Sequence, residues 1–307
     1  MSEINSFKII IVGAGPAGLT SAIYSARAGI STLVFGSPYE SQVAKLDIIE
    51  NYPGFSKGVH GMELMESMEK QAQANGAKVN YSSVISIEKD NGKFIVKSDE
   101  DESFIAESVI LAMGARHRKM RIPGEEEYFM KGVSYCAVCD GALYQNKATA
   151  VLGYGDGAAK AALYLANISN KVYLICPKEE LGAEAIYMHR IKSKENIEIH
   201  YKAKVSQISG SEYAEGLTFK QKGEPTDIKA EGIFIEAGSV PNTVLAEQIG
   251  VEINERSYIV SSVETMETNI PGVYAIGDVC GRVKQIATAV GDGCIAAYQA
   301  QNYLEEK

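Results

Sequence analysis

Two stretches of this chain share one pattern, and that pattern limits the fold more than any other feature. Residues 7–36 read FKIIIVGAGPAGLTSAIYSARAGISTLVFG, and residues 147–177 read KATAVLGYGDGAAKAALYLANISNKVYLICP. Each runs from an apolar strand through a glycine turn into an alanine-rich helix and a second strand. Two such βαβ units, about 140 residues apart, predict an α/β chain with two Rossmann-like dinucleotide-binding modules.

In the first unit Gly13, Gly15 and Gly18 form a complete G-x-G-x-x-G. The first glycine allows the tight turn, the second lets a pyrophosphate approach the backbone, and the third lets the helix pack on the strand. The helix N-terminus then presents unpaired N–H groups and the positive end of a dipole. The alternative is a tight turn with no ligand. Ala17, Ala22 and Ala26 allow the helix to lie close on a sheet, and Gly29 ends it. The second strand ends VFGSP, without the usual ribose-binding acid, so the pattern does not separate FAD from NAD. Further strands are expected in GKFIVKS and ESFIAESVILAMGA, with a polar turn at Ser98–Glu102, and in GLTFKQKGEPTDIKAEGIFIEAG. The segments ARHRKMRIPGEEE and GSVPNT read as breaks. The C-terminal part reads as a strand, a turn and a long alanine-rich helix.

Composition excludes some classes. The net charge of −9 argues against nucleic acid or an anionic membrane as the main partner. No apolar run approaches the roughly 20 residues that span a bilayer. The N-terminal apolar segment Ile9–Val12 runs straight into the glycine motif and reads as a strand rather than a signal peptide, so a cytoplasmic location is expected. Five cysteines (Cys136, Cys139, Cys176, Cys280 and Cys294) are too few and too scattered for a disulfide framework.

Cys136 and Cys139 form a C-x-x-C followed by Asp140. A redox dithiol, a zinc site and two inert core thiols all share this spacing. Zinc needs two more ligands, and the four histidines, His60, His117, His189 and His200, supply no second pair, so no metal is expected. The redox reading is favoured, because the spacing brings two sulfurs within bonding range and can make one more acidic. Asp140 is then placed to exchange a proton with a thiolate. A redox pair beside a dinucleotide site suggests a flavin exchanging electrons with a disulfide.

At this point the chain resembles the low-molecular-weight thioredoxin reductases, over nearly its whole length. The resemblance rests on GAGPAGLTSAIYSARAG, ENYPGF, ILAMGARHRKMRIPGE, VSYCAVCDGALY, VYAIGDV and QIATAVGDGCIAAYQAQNYL. It implies an FAD domain built from 1–117 and 243–307, with a second module, 118–242, inserted and carrying the redox pair. FAD contacts are implied at Gly13, Gly15, Pro16, Ala17, Gly18, Gly36, Ser37, Gln42, Asn51, Val84, Gly114, Asp278, Gln285 and Ile286. The resemblance further implies Cys139 as the flavin-facing sulfur, Cys136 as the sulfur that exchanges with a thioredoxin disulfide, Asp140 as proton donor, a homodimer, and domain rotation about the two breaks.

The chain departs from the NADPH-using members at one place. Those members carry a G-G-G-D-S-A loop and, after the next strand, an H-R-R-x-x-x-R run whose arginines grip the 2′-phosphate. Here the loop is Gly153-Tyr154-Gly155-Asp156-Gly157-Ala158, and the strand leads into Cys176, Pro177, Lys178, Glu179, Glu180, Leu181 and Gly182. One cation and two carboxylates replace three arginines, and repulsion between a nearby carboxylate and the phosphate is expected to cost NADPH about two orders of magnitude or more in affinity. NADH, held by Glu179, is one alternative, and a rebuilt NADPH pocket is another. A third is a donor other than a pyridine nucleotide, since some members use ferredoxin or a reduced deazaflavin. Glu40-Ser41 also replaces a usual glycine pair before Gln42, and Met113 a usual threonine. Two other readings compete with a reductase: a ferredoxin–NADP reductase-like flavoprotein, which needs no dithiol, and a flavin-bound redox sensor.

Overall fold

A computed structural model describes residues 5–307. The chain divides into two compact units, one formed by residues 1–116 and 240–307 and the other by 117–239.

The first unit is built on the strand Asn5–Val12 and the helix Pro16–Arg27 that follows it. The strand lies at the centre of a sheet ordered Lys78–Asn80, Thr32–Phe35, Asn5–Val12, Ser103–Leu111. Val273–Ala275 pairs in parallel with the far end of Ser103–Leu111. The hairpin Val84–Asp90 and Lys93–Ser98 pairs antiparallel with its near end. Period-two alternation sends successive residues to opposite faces. Ile9 and Ile11 pack with Leu19, Ala22, Met65 and Tyr274 under the helices. Ile10 and Val12 pack with Leu33, Phe35, Phe94 and Phe104 on the other face. The alanine-rich C-terminal helix Ile286–Glu305 seats on the first helix at Gly293, where a Cβ would stand 2.4 Å from the Ala17 carbonyl oxygen. The Ser21 hydroxyl donates to the Gly293 carbonyl at 2.8 Å.

The second unit repeats the plan. Its parallel sheet runs Ile197–His200, Lys171–Ile175, Ala148–Gly153, Gly232–Glu236, Val133–Ser134. Position by position this is the order of the first sheet, with Val133–Ser134 standing where Val273–Ala275 stands there. A three-stranded antiparallel sheet, Ala203–Gly210, Ala214–Gln221 and Glu224–Lys229, takes the place of the hairpin. All the strands read from the sequence are present, as is the turn between Ser98 and Ser103. The two segments expected to be breaks are not wholly irregular: Ala115–His117 and Ser239–Pro241 pair as a two-stranded ribbon. Such short strands have no periodicity of their own, and only the long-range partner creates them.

No helix among the described residues is long and apolar enough to cross a membrane.

Candidate active site and nucleotide cradles

Four parallel strands of the first unit are each followed, within three residues, by a glycine with positive φ: Gly13 (+112°), Gly36 (+112°), Gly114 (+65°) and Gly277 (+70°). The +112° conformations of Gly13 and Gly36 suit glycine alone and the other two favour it, and together they gather four turns at the carboxyl edge of the sheet, where such folds bind ligands. The three glycines of the first loop do different work. A Cβ on Gly13 would meet the Ala112 carbonyl oxygen at 2.3 Å, and one on Gly18 would meet the Gly13 carbonyl oxygen at 1.8 Å. Those two hold strand, loop and helix together. A Cβ on Gly15 would meet nothing within 4 Å. Gly15 is also the helix N-cap with no side-chain cap, and Pro16 follows it. The loop therefore offers bare backbone and uncapped N–H groups to open space, which fits a pyrophosphate.

The other residues expected at this cofactor occupy the same unit. Ala17 is buried in the first turn of the helix, Ser37 precedes the short turn Pro38–Glu40 without a side-chain capping bond, and Val84 is half-buried at the start of the hairpin. The Gln42 amide donates to the Ala115 carbonyl. The Asn51 amide donates to Gln285 Oε1 at 3.2 Å. Gln285 and Thr288 form a reciprocal capping box at the start of the last helix, with Ile286 as its first residue. Asp278 follows Gly277, and burial pushes its carboxyl above the ordinary value, with Asp292 adding to the shift and Lys284 opposing it. Two partners of this turn carried no sequence signal: Asp292 accepts the Gly277 N–H at 3.0 Å and pairs with Arg282 at 3.1 Å.

The second unit carries the cysteines. Cys136 and Cys139 are joined in a disulfide on the one-turn helix Ala137–Asp140. Cys136 is its N-cap, and the Cys136 sulfur accepts the Cys139 N–H at 3.2 Å. Cys136 is half-buried and Cys139 exposed. Asp140 lies beside them, and burial pushes its carboxyl up while a hydrogen bond from Ser134 pulls it down. Ser134, unremarked in the sequence, donates to Asp140 Oδ2 at 2.5 Å and accepts the Cys136 N–H at 3.0 Å. Tyr135 is fixed from behind by Glu125. That carboxylate is 1% exposed and accepts the Tyr135 hydroxyl at 2.7 Å and the Met120 and Ile122 N–H groups at 2.9 and 3.1 Å. The other three cysteines remain free thiols, and Cys176 is buried. Among the described residues no cluster of three or more metal-ligating side chains occurs.

The second glycine loop keeps open backbone but has a different surround. Gly155 is the uncapped N-cap of the helix Asp156–Leu165, and a Cβ on it would meet nothing within 4 Å. The segment after Lys171–Ile175 lies along this loop. The Gly182 N–H bonds the Tyr154 carbonyl at 2.7 Å, and the Glu184 N–H bonds Asp156 Oδ1 at 2.9 Å. Cys176, at the position of the family histidine, is 0% exposed, and its thiol faces the Lys178 and Glu180 carbonyls. Lys178 lies over the exposed Tyr154 ring, 5.8 Å from its centroid. Glu179 is paired with Lys202 at 2.6 Å.

Comparisons with known proteins follow this geometry. Residues 7–293 match the family described as pyridine nucleotide-disulphide oxidoreductase. The thioredoxin reductase of Bacillus subtilis is 37% identical over 100% of this chain and 97% of its own length. The crystal structure of thioredoxin reductase from Streptococcus pyogenes superposes with a TM-score of 0.92 at 34% identity, covering 98% of this chain and 99% of that one. The atypical thioredoxin reductase TRi from Desulfovibrio vulgaris Hildenborough is 35% identical, covering 98% of this chain and 99% of that one, with a TM-score of 0.55. The redox disulfide, the two repeated nucleotide folds and this full-length similarity place the chain in the thioredoxin reductase family, as an FAD-dependent disulfide oxidoreductase.

Proposed function

We propose that this protein reduces the disulfide of a thioredoxin or thioredoxin-like partner, drawing electrons from a donor other than a pyridine nucleotide, with ferredoxin as the leading candidate. The first glycine loop takes the FAD pyrophosphate at Gly13, Gly15, Pro16, Ala17 and Gly18. Gly36, Ser37, Val84 and Gly114 line the adjoining strand ends, Asp278 meets the ribityl or phosphate region, and Gln42, Asn51, Gln285 and Ile286 border the ring. When bound, FAD supplies a two-electron carrier that can be recharged one electron or two at a time. The chain's own part is to hold Cys139 as the flavin-facing sulfur, to offer Cys136 to the partner disulfide, and to supply the proton from Asp140. In this reading residues 1–117 and 243–307 bind FAD and the inserted module 118–242 bears the dithiol, a division that the two compact units support. A homodimer and a cytoplasmic location accompany the family reading.

The observation that carries the donor assignment is the strand end at Cys176. No arginine occurs between residues 122 and 189. Two lysines of this region are already engaged, Lys178 over Tyr154 and Lys202 with Glu179. A 2′-phosphate needs a charged fork, and this segment supplies none. Glu179 as a ribose acceptor for NADH is opposed by its pairing with Lys202.

The reductase half of the proposal has its own test. The holoenzyme is reduced with dithionite under anaerobic conditions and mixed with an oxidised thioredoxin. Thiols are expected to appear on the thioredoxin as the flavin reoxidises. A Cys136→Ser variant should abolish this while keeping a full complement of FAD. Transfer that survives without Cys136 would show that the dithiol is not the route.

A further inference from the structure

The carboxylate beside the disulfide is held by one short side chain. Ser134 is 3% exposed and sits on Val133–Ser134, whose residues pair with Ile233 and Phe234 of the central sheet. Its hydroxyl has one proton to give. The Asp140 Oδ2 acceptor lies at 2.5 Å and the Cys136 carbonyl at 3.4 Å, so the proton goes to the carboxylate. The same oxygen accepts the Cys136 N–H at 3.0 Å. One atom, anchored on a strand, thus ties the backbone of the first cysteine to the acid that follows the second.

We propose that Ser134 is a positioning residue for proton transfer at the Cys136–Cys139 pair, aiming the Asp140 carboxyl at the dithiol. This rests on the reading of Asp140 as the proton donor. Reducing the disulfide to two thiols takes two electrons, which come from the bound flavin, and two protons. Asp140 supplies one proton and solvent the other; the reverse reaction returns the first to Asp140. Ser134 donates to the ionised carboxylate and so favours proton release, against the burial that favours retention. The titratable groups around this point are few. Tyr144, from the next short turn, stays neutral, its hydroxyl pushed up to about 12 by burial and by the charges of Asp140 and Glu231. Glu231 is paired with Lys147 at 3.1 Å. Tyr164, from the helix Asp156–Leu165, points its hydroxyl at the Val138 carbonyl at 3.5 Å. Among the described residues, Ser134 is the one side chain that hydrogen-bonds the carboxylate.

The test uses the oxidised holoenzyme, with dithiothreitol reducing the disulfide and the flavin bleaching behind it. Asp140 must then accept a proton, so the rate rises with pH as its carboxyl ionises. Ser134→Ala is expected to slow bleaching about tenfold and Asp140→Asn about a hundredfold. Ser134→Ala should also move the rising limb to higher pH, and Ser134→Thr should restore both rate and limb. A second readout needs no turnover: the carboxyl carbon shift of labelled Asp140, assigned by its loss in Asp140→Asn, should titrate at higher pH in Ser134→Ala. In the double variant, Ser134→Ala should add nothing to Asp140→Asn, and independent losses would overturn the proposal even where folding is perturbed. A wild-type limb and titration in Ser134→Ala would overturn it too. Full-rate bleaching in Asp140→Asn would instead remove the proton-donor reading beneath it.

Discussion

Gly15 and Gly18 lie three residues apart and have opposite tolerances. Gly15 has a φ of −77° and open space where a Cβ would go, whereas a Cβ on Gly18 would overlap the Gly13 carbonyl. Gly15→Ala is therefore expected to fold with wild-type stability and lose about tenfold or more in FAD affinity. Gly18→Ala should lose about 2 kcal/mol or more of stability in urea unfolding even as apoprotein. Asp278 gives a second residue-scale prediction. Burial holds its carboxyl above the unfolded value, so the native state binds the extra proton. Its contribution to stability is complete below the ordinary carboxylate value and falls as pH rises through the raised one. Asp278→Asn should raise the urea midpoint of the apoprotein at neutral pH and weaken FAD binding; a lowered midpoint would contradict this. The loop glycines and cysteines were legible because their chemistry fixes residue type and spacing. Ser134 was not, since a serine on a two-residue strand has no pattern. Glu69 was equally hidden. It is 3% exposed within a surface-type helix, and its partners, the Tyr39 and Tyr81 hydroxyls at 2.5 Å each, come from two separate segments, 30 and 12 residues away.

At the scale of elements, the second strand–loop–helix unit keeps its shape, while Pro177, Lys178 and Gly182 stand beside it where arginines stand in the NADPH-using members. Gly182 is not in the left-handed region, and a Cβ there would meet Tyr154 atoms at ordinary contact, 3.5 and 3.9 Å. An arginine fits its backbone. Pro177→Arg, Lys178→Arg and Gly182→Arg together are expected to be necessary for NADPH turnover and to lower the NADPH KM by about tenfold or more relative to any single change, with NADH unaffected. Steady-state kinetics with both nucleotides decides this. The main strands of both sheets were within reach of sequence, because apolar runs and glycine turns are strong local signals, whereas their order comes from the structure. The pairing of Ala115–His117 with Ser239–Pro241 was not, because it joins segments more than a hundred residues apart that have no alternation to read.

For the molecule as a whole, the two units carry one strand plan twice, with separate tasks. The first holds open glycine turns for a dinucleotide. The second holds the disulfide, its acid, and a nucleotide loop whose phosphate clamp is missing. The fold and the redox pair were written in local motifs, whereas the donor proposal rests on the absence of arginines at one strand end. The direct test is anaerobic reduction of the wild-type flavin, with NADPH, NADH and reduced ferredoxin offered separately at matched reducing equivalents. The account predicts prompt bleaching by ferredoxin, followed by thiols on thioredoxin, and no bleaching by either nucleotide on that timescale. Rapid bleaching by NADPH in the unmodified protein would contradict it.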